Sequence, residues 1–191
     1  MDADSKGAEV ARQWIEAAHP EHPSLLDPKH LVPELYNTRN VPAVFWIDES
    51  GTIVRGNDPV YATQRNRETG ETTINDRYLA GVRDWVRNGP ASIWVNEADE
   101  TRQRLGSSDP ANEQATAHFR LGVYLEGLGD HEAAVAQFRE AHTLKPDNWN
   151  FRRQAWNLGD AERDYGSPAA EQMRNGPPRY KPLVLPEAPP A

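Results

Sequence analysis

Apolar positions recur along this chain with two different periods. In GAEVARQWIEAAHP, Val10, Trp14, Ile15 and Ala18 fall at steps of four, one and three, which predicts one apolar face on a short helix. Pro20 and Pro23 end it, since proline has no amide to extend the ladder. The short apolar run PSLLD predicts a strand. Asp27 is placed to cap a second helix with Pro28 in its first turn, and Pro33 keeps that helix short, up to about Tyr36. AVFWID, Ala43–Asp48, is apolar almost throughout and β-branched or aromatic at its centre, the pattern of a strand covered on both faces. Glu49, Ser50 and Gly51 mark a turn, TIVR a second strand, and their closeness predicts an antiparallel hairpin. The polar stretch Asn57–Asn75 reads as a surface loop. NDRYLAGVRDWVRNG predicts a helix with Leu79, Val82 and Val86 on one face, Tyr78 and Trp85 beside them, and Gly89 and Pro90 closing it. EADETRQRLG predicts a further helix, and SSDP a linker and domain boundary.

The second half keeps only the helical period. ATAHFRLGVYLEGLGDHEAAVAQFREAHTLKPDN predicts a helix ending at Gly129, a helix capped by Asp130, and a stop at Pro146. NWNFRRQAWNLGD predicts one more helix, with Trp149 and Trp156 packed together. PPRYKPLVLPEAPPA reads as a Pro-rich, extended tail. The fold class is therefore α/β plus α, with expected spans 1–90, a helical linker 91–112, a helical region 113–165 and a tail 166–191.

Charge and composition narrow the chemistry. The 191 residues carry 29 acidic side chains against 21 Lys and Arg, a formal net charge of -8. That balance argues against nucleic acid, whose phosphates need clustered basic residues. No apolar run approaches the ~20 residues of a membrane span, and MDADSKGAEVARQW lacks the charged-then-apolar order of a signal segment, so a cytoplasmic location is expected. The absence of cysteine removes disulfides, thiolate metal sites and thiol catalysis together. His19, His22 and His30 lie near Asp27, but the intervening prolines break any metal-ligand spacing, and they read as loop histidines. His118 sits where the helical pattern wants a large apolar residue, so a core role is expected. Arg152 and Arg153 suit a carboxylate, or a solvated helix face. Asp48 and Glu49 belong to the turn. No cofactor and no metal are expected.

NVPAVFWIDESGTIV and its flanking helices resemble the C-terminal part of a thioredoxin-fold domain, in the pattern of the TlpA/ResA-like thiol–disulfide oxidoreductases. The matching residues are Val41-Pro42, then Ile47, Asp48 and Gly51, then the helix Asp76–Asn88. The resemblance implies a cis peptide bond at Val41–Pro42, a corner at which the backbone of Val41 would meet an extended peptide. The departure is large: the strand, the Cys-x-x-Cys segment and the helix that precede this pattern in the family are missing, because only seven residues precede Ala8. An incomplete sheet leaves an edge to be covered by the chain's second half or by another copy. Leu121-Gly122, Tyr124, Gly129, Ala134, Phe138, Ala141 and Pro146 resemble one tetratricopeptide repeat of about 34 residues. One such repeat is too short to stand alone, so the helical half is expected to dock on the first. Together the resemblances imply a thioredoxin-like/TPR-like module without catalytic cysteines, not an enzyme by itself, that binds a protein or peptide partner through a helical groove and the Val41–Pro42 corner. Two alternatives stand beside this: the chain is the C-terminal portion of a longer oxidoreductase whose cysteines lie upstream of Met1, or it is a structural homo-oligomer.

Overall fold

The computed structural model describes residues 7–59, 62–66, 68–106, 109–180 and 185–186. Among them are nine α-helices and four short strands, a mixed α/β plus α architecture. The chain divides into two compact units. One gathers Met1–Asn40 with Ser108–Arg179, the other Val41–Ser107 with Tyr180–Ala191. Residues up to Asn40 thus share a unit with the later helices rather than with the hairpin of an expected 1–90 span. Ser107 and Ser108 of the predicted linker lie outside the described residues.

In the Val41–Ser107 unit, β1 (Val44–Ile47) and β2 (Ile53–Asp58) form the predicted antiparallel hairpin. Its turn is organised by Asp48, whose Oδ1 accepts from the Ser50 amide at 2.9 Å, the Thr52 amide at 2.9 Å and the Ser50 hydroxyl at 2.6 Å. These bonds, led by the Ser50 side chain, hold the Asp48 carboxyl below its usual pKa. Gly51 supplies the left-handed φ of 84° that the turn requires. β1 is covered unevenly: Trp46 is buried on one face, Phe45 is half-buried on the other, where it and Leu105 meet over Gly56, and Ile47 at the strand end is exposed. Asn57–Asn75 is not a plain loop. β2 runs to Asp58, and β3 (Thr63–Arg65) pairs with β4 (Thr72–Ile74) in a second hairpin.

α3 (Asp76–Asn88) starts where the Asn75 side chain accepts from the Tyr78 amide at 3.1 Å and ends at Gly89. Its inward face is Tyr78, Gly81, Val82 and Trp85, and Val86 is 75% exposed, contrary to the predicted face. Trp94 explains the rotation. It packs on Gly81 so closely that a Cβ there would lie 2.7 Å from its Cε2, so the helix turns its smallest residue inward. Trp46 stacks on Trp85 with centroids 5.1 Å apart and donates from Nε1 to the Tyr78 hydroxyl at 3.0 Å. α4 (Ala98–Leu105) lies along β2, with Leu105 over Gly56.

In the other unit, α1 (Ala8–Ala18) buries Ala11 and half-buries Ile15 one turn on, while Val10 and Trp14 are exposed, so only part of the predicted apolar face turns inward. PSLLD forms no strand beyond an isolated β-bridge at Leu26. The Asp27 carboxylate accepts from the amides of Leu31 at 3.0 Å and Val32 at 2.7 Å, which folds Pro28–His30 into a turn. Asp27 does cap α2, but α2 begins at Leu31 (Leu31–Leu35) rather than at Pro28. α5 (Pro110–Gly127) and α6 (His131–Leu144) form the predicted helical hairpin. Asp109 and Asp130 cap them by accepting from Asn112 and Ala133, and Gly129 takes φ 83° between them. The two helices approach closely at Gly122, where a Cβ would stand 2.6 Å from Phe138 Cε1. The core is Ala115, Phe119, Ala134, Phe138, Ala141, Phe151 and Ala155, with Phe119 stacked on Phe151 at 4.6 Å. His118 is not part of it. It is half-buried and bonds Gln137 at 2.7 Å, while its neighbour Phe119 takes the core position.

α7 (Trp149–Leu158) packs against α6, and its Trp149 and Trp156 rings meet edge-on at 6.1 Å, as expected. α8 (Ala161–Tyr165) closes the expected helical region, and the expected extended tail 166–191 begins instead with a helix, α9 (Ala169–Asn175). Gly176 then lies against Trp149, whose Nε1 donates to the Pro177 carbonyl at 3.2 Å. The α2 segment is bound to these helices by specific contacts. His30 meets Phe119 edge-on at 5.3 Å, Arg120 pairs with Glu34 at 2.5 Å, Arg39 pairs with Asp147 at 2.5 Å, and Asn150 donates to the Thr38 carbonyl at 2.6 Å.

Candidate functional site

The Val41–Pro42 peptide bond is cis. Pro42 is exposed, and its carbonyl accepts from the Tyr180 hydroxyl at 3.0 Å. Val41 is likewise engaged within the chain. Arg77 donates to the carbonyls of Leu185, at 3.4 Å, and Pro186. The Tyr180 hydroxyl therefore takes the Pro42 carbonyl at the corner where the resemblance places an extended peptide.

Behind the corner is a buried polar cluster that the sequence did not reveal. Arg55 and Asp58 are 1% and 0% exposed. Residues three apart on a regular strand point to opposite faces. Here β2 is irregular: Val44 pairs with Asp58 and Trp46 with Arg55, so β2 carries an extra residue, and Asn57 takes φ 58°. The irregularity turns both side chains inward. Arg55 donates from Nε to Asp58 at 2.5 Å and from Nη1 to the Trp94 carbonyl at 3.1 Å, and its guanidinium lies 5.5 Å from the Trp46 ring centroid. Arg104 reaches the other Asp58 oxygen at 3.3 Å. Burial pushes the Asp58 carboxyl up, and the two guanidiniums oppose that shift. Burial also raises the Tyr78 hydroxyl. Arg55 Nε and Nη1 are satisfied inside the cluster, while its Nη2 is buried without a hydrogen-bond partner among the described residues; with Arg55 and Asp58 both closed off from solvent, the cluster is an architectural brace.

The helical hairpin offers a surface of different character. Along α5 and its C-cap residue Leu128, the side chains of Ala117, Leu121, Tyr124 and Leu128 are all exposed, Tyr124 by 63% and Leu128 by 65%. They follow one another at steps of four, three and four, a single apolar line on the face opposite Phe119 and Gly122. At 1.5 Å per residue the line is about 16 Å long. Glu113 stands at its head and Asp130 just beyond its foot. Leu121 and Tyr124 belong to the repeat-like pattern, and Ala117 and Leu128 extend the same line beyond it. The step pattern that joins all four was already present in the sequence.

The remaining candidates have other employment. The Asp27 carboxylate caps α2, and the described residues contain no group of three or more His, Asp or Glu placed to hold a metal ion. Arg153 lies 3.5 Å from Asn40, and Arg152 donates to the Pro146 carbonyl at 3.1 Å. No described helix is long and apolar enough to cross a membrane. No protein-family model matches the chain, and neither does any curated protein or solved structure.

Proposed function

We propose that this protein is a non-catalytic interaction module, a thioredoxin-like hairpin unit joined to a tetratricopeptide-like helical unit, whose partner docks on the exposed line of α5. The observation that carries the reading is the run Ala117, Leu121, Tyr124, Leu128, an apolar line left on the surface of a helix whose other face is already packed. Isolated exposed apolar residues are ordinary, but a continuous line at helical spacing is the pattern of a helix–helix ridge. The acidic residues at its two ends, and a net charge of -8, select the occupant: an amphipathic helix of another protein, apolar along one face and basic at both ends. The absence of cysteine supports a binding role over thiol–disulfide exchange, which needs a thiolate.

The test uses the full chain with a photo-crosslinking residue at Leu121 or, as control, at Glu132. Crosslinking to one partner from position 121 but not 132, abolished by Leu128→Glu, supports the reading. A crosslinked dimer of the chain itself would transfer the surface to the homo-oligomer reading. No product from either position rejects the docking line.

A further inference from the structure

α6, α7, α8 and α9 surround an open bowl lined by Arg139, His142, Arg152, Tyr165 and Gln172. Two of its polar groups are buried without a hydrogen-bond partner among the described residues, His142 Nε2 and the Tyr165 hydroxyl. Their rings meet at 5.1 Å, tilted by 56°. His142 is more than nine-tenths buried, and its other ring nitrogen hydrogen-bonds the Phe151 backbone carbonyl. Burial, reinforced by the Arg152 charge, pushes its pKa down to about 4. Near neutral pH the ring is therefore uncharged. With the proton of one nitrogen given to Phe151, Nε2 presents a lone pair and can only accept. Burial keeps the Tyr165 hydroxyl protonated, so it can donate.

The bowl is also cationic. The Arg152 guanidinium lies 5.7 Å from the Trp149 ring centroid, and its polar contact is the Pro146 carbonyl rather than a carboxylate. Burial lowers its pKa, the direction that a bound anion would reverse. Arg139 is held at the rim by two bonds to the Asp164 carbonyl, at 2.9 and 2.5 Å. The charged and titratable groups around His142 are thus Arg139 on its own helix, Arg152 on α7, and Tyr165, Asp164 and Arg163 on α8, while α9 offers the neutral Gln172. The Asp164 carboxylate is committed to Arg163, at 2.6 and 2.9 Å, and to His131 at 3.3 Å.

A cation, a donor and an acceptor line the same bowl. We propose that the bowl binds a phosphate ion that still carries a proton, with Arg152 facing its charge, the Tyr165 hydroxyl donating to one oxygen and the ligand's P–O–H donating to His142 Nε2. Inorganic phosphate keeps at least one proton near neutral pH. Sulfate does not, and would leave Nε2 without a partner. A phosphomonoester has the required proton only below its second pKa of about 6.

The experiment is a titration of the full chain at pH 7, followed through the His142 ring signals by NMR, with inorganic phosphate, sulfate and phosphoserine as separate probes. Phosphate should shift the His142 signals saturably and bind about tenfold more tightly than sulfate, the worth of about one hydrogen bond. Phosphoserine should match phosphate at pH 5.5 and fall behind it at pH 7. If phosphoserine is instead the tighter probe at pH 7, the ligand is a dianion and the role given to Nε2 is overturned. Tyr165→Phe removes only an oxygen, and it should weaken phosphate about tenfold while leaving the melting temperature unchanged or higher. Equal affinity for sulfate and phosphate, or no saturable shift of His142, overturns the proposal.

Discussion

Arg55→Met removes the brace behind the hairpin and leaves Asp58 nearly alone. Asp58 is fully buried and loses its 2.5 Å partner, keeping only Arg104 at 3.3 Å. The Trp94 carbonyl loses its donor as well. Stranding one member of a buried ion pair costs about 3–5 kcal/mol. A separate route gives a similar size. An orphaned carboxylate can escape by taking a proton, at about 1.4 kcal/mol for each pH unit between 7 and its ordinary value near 4, or about 4 kcal/mol. That is a large part of the 5–15 kcal/mol holding a typical domain together. The double variant Arg55→Met, Asp58→Leu should recover most of the loss, because two apolar side chains of similar volume leave no charge behind. The assay is urea unfolding of the full chain, with amide exchange of β1 and β2 resolving this unit from the other. In the single variant Asp58 has a folded pKa far above its unfolded one. Its penalty is therefore absent below about pH 4 and grows as the pH rises towards the folded value. A single variant costing less than about 1 kcal/mol, or a double variant as damaged as the single, would refute the account of Arg55 and Asp58 as one interdependent pair.

Three further outcomes are expected. Gly122→Ala places a Cβ 2.6 Å from Phe138 Cε1, and overpacking of about 1–3 kcal/mol should outweigh the roughly 1 kcal/mol of helix propensity it gains. At Gly127, which has open space around it and an ordinary φ, the same substitution should stabilise by up to about 1 kcal/mol, so thermal melts of the two variants should move in opposite directions. Phe138→Ala should cost about 3–5 kcal/mol, because the ring fills the space between α5, α6 and α7. His131 lies with Nδ1 2.8 Å from Glu126 and Nε2 3.3 Å from Asp164, and Glu126 foremost raises its pKa above the ordinary 6.5. Its contribution is complete below the unfolded value and is lost as pH rises through the raised folded value, so the His131→Gln and wild-type proteins should converge in stability on the alkaline side.

The elements legible in the sequence are those specified by local chemistry. The Asp48–Gly51 turn, the Asp130 cap and the Gly129 stop are each written in a few adjacent residues, and each appears where those residues stand. What escaped depends on neighbours distant in the chain. The inward face of α3 is set by Trp94, so Val86 looked inward in the periodicity and is outward in the fold. β4 is exposed at every position, and a Thr-rich strand of that kind leaves no apolar alternation to detect. Arg55 and Asp58 were hidden by the irregularity in β2, since a regular strand would separate them. The bowl could not be seen in advance, because it joins residues on four helices whose packing the sequence does not spell out.

Photo-crosslinking from position 121 of the full-length chain in its native cells tests the central claim most directly. The account predicts one partner, captured from Leu121 but not from Glu132 and lost with Leu128→Glu in a variant that melts as the wild type does. Absence of any product from position 121, or equal labelling from both positions, would contradict the claim that the apolar line of α5 is the protein's working surface.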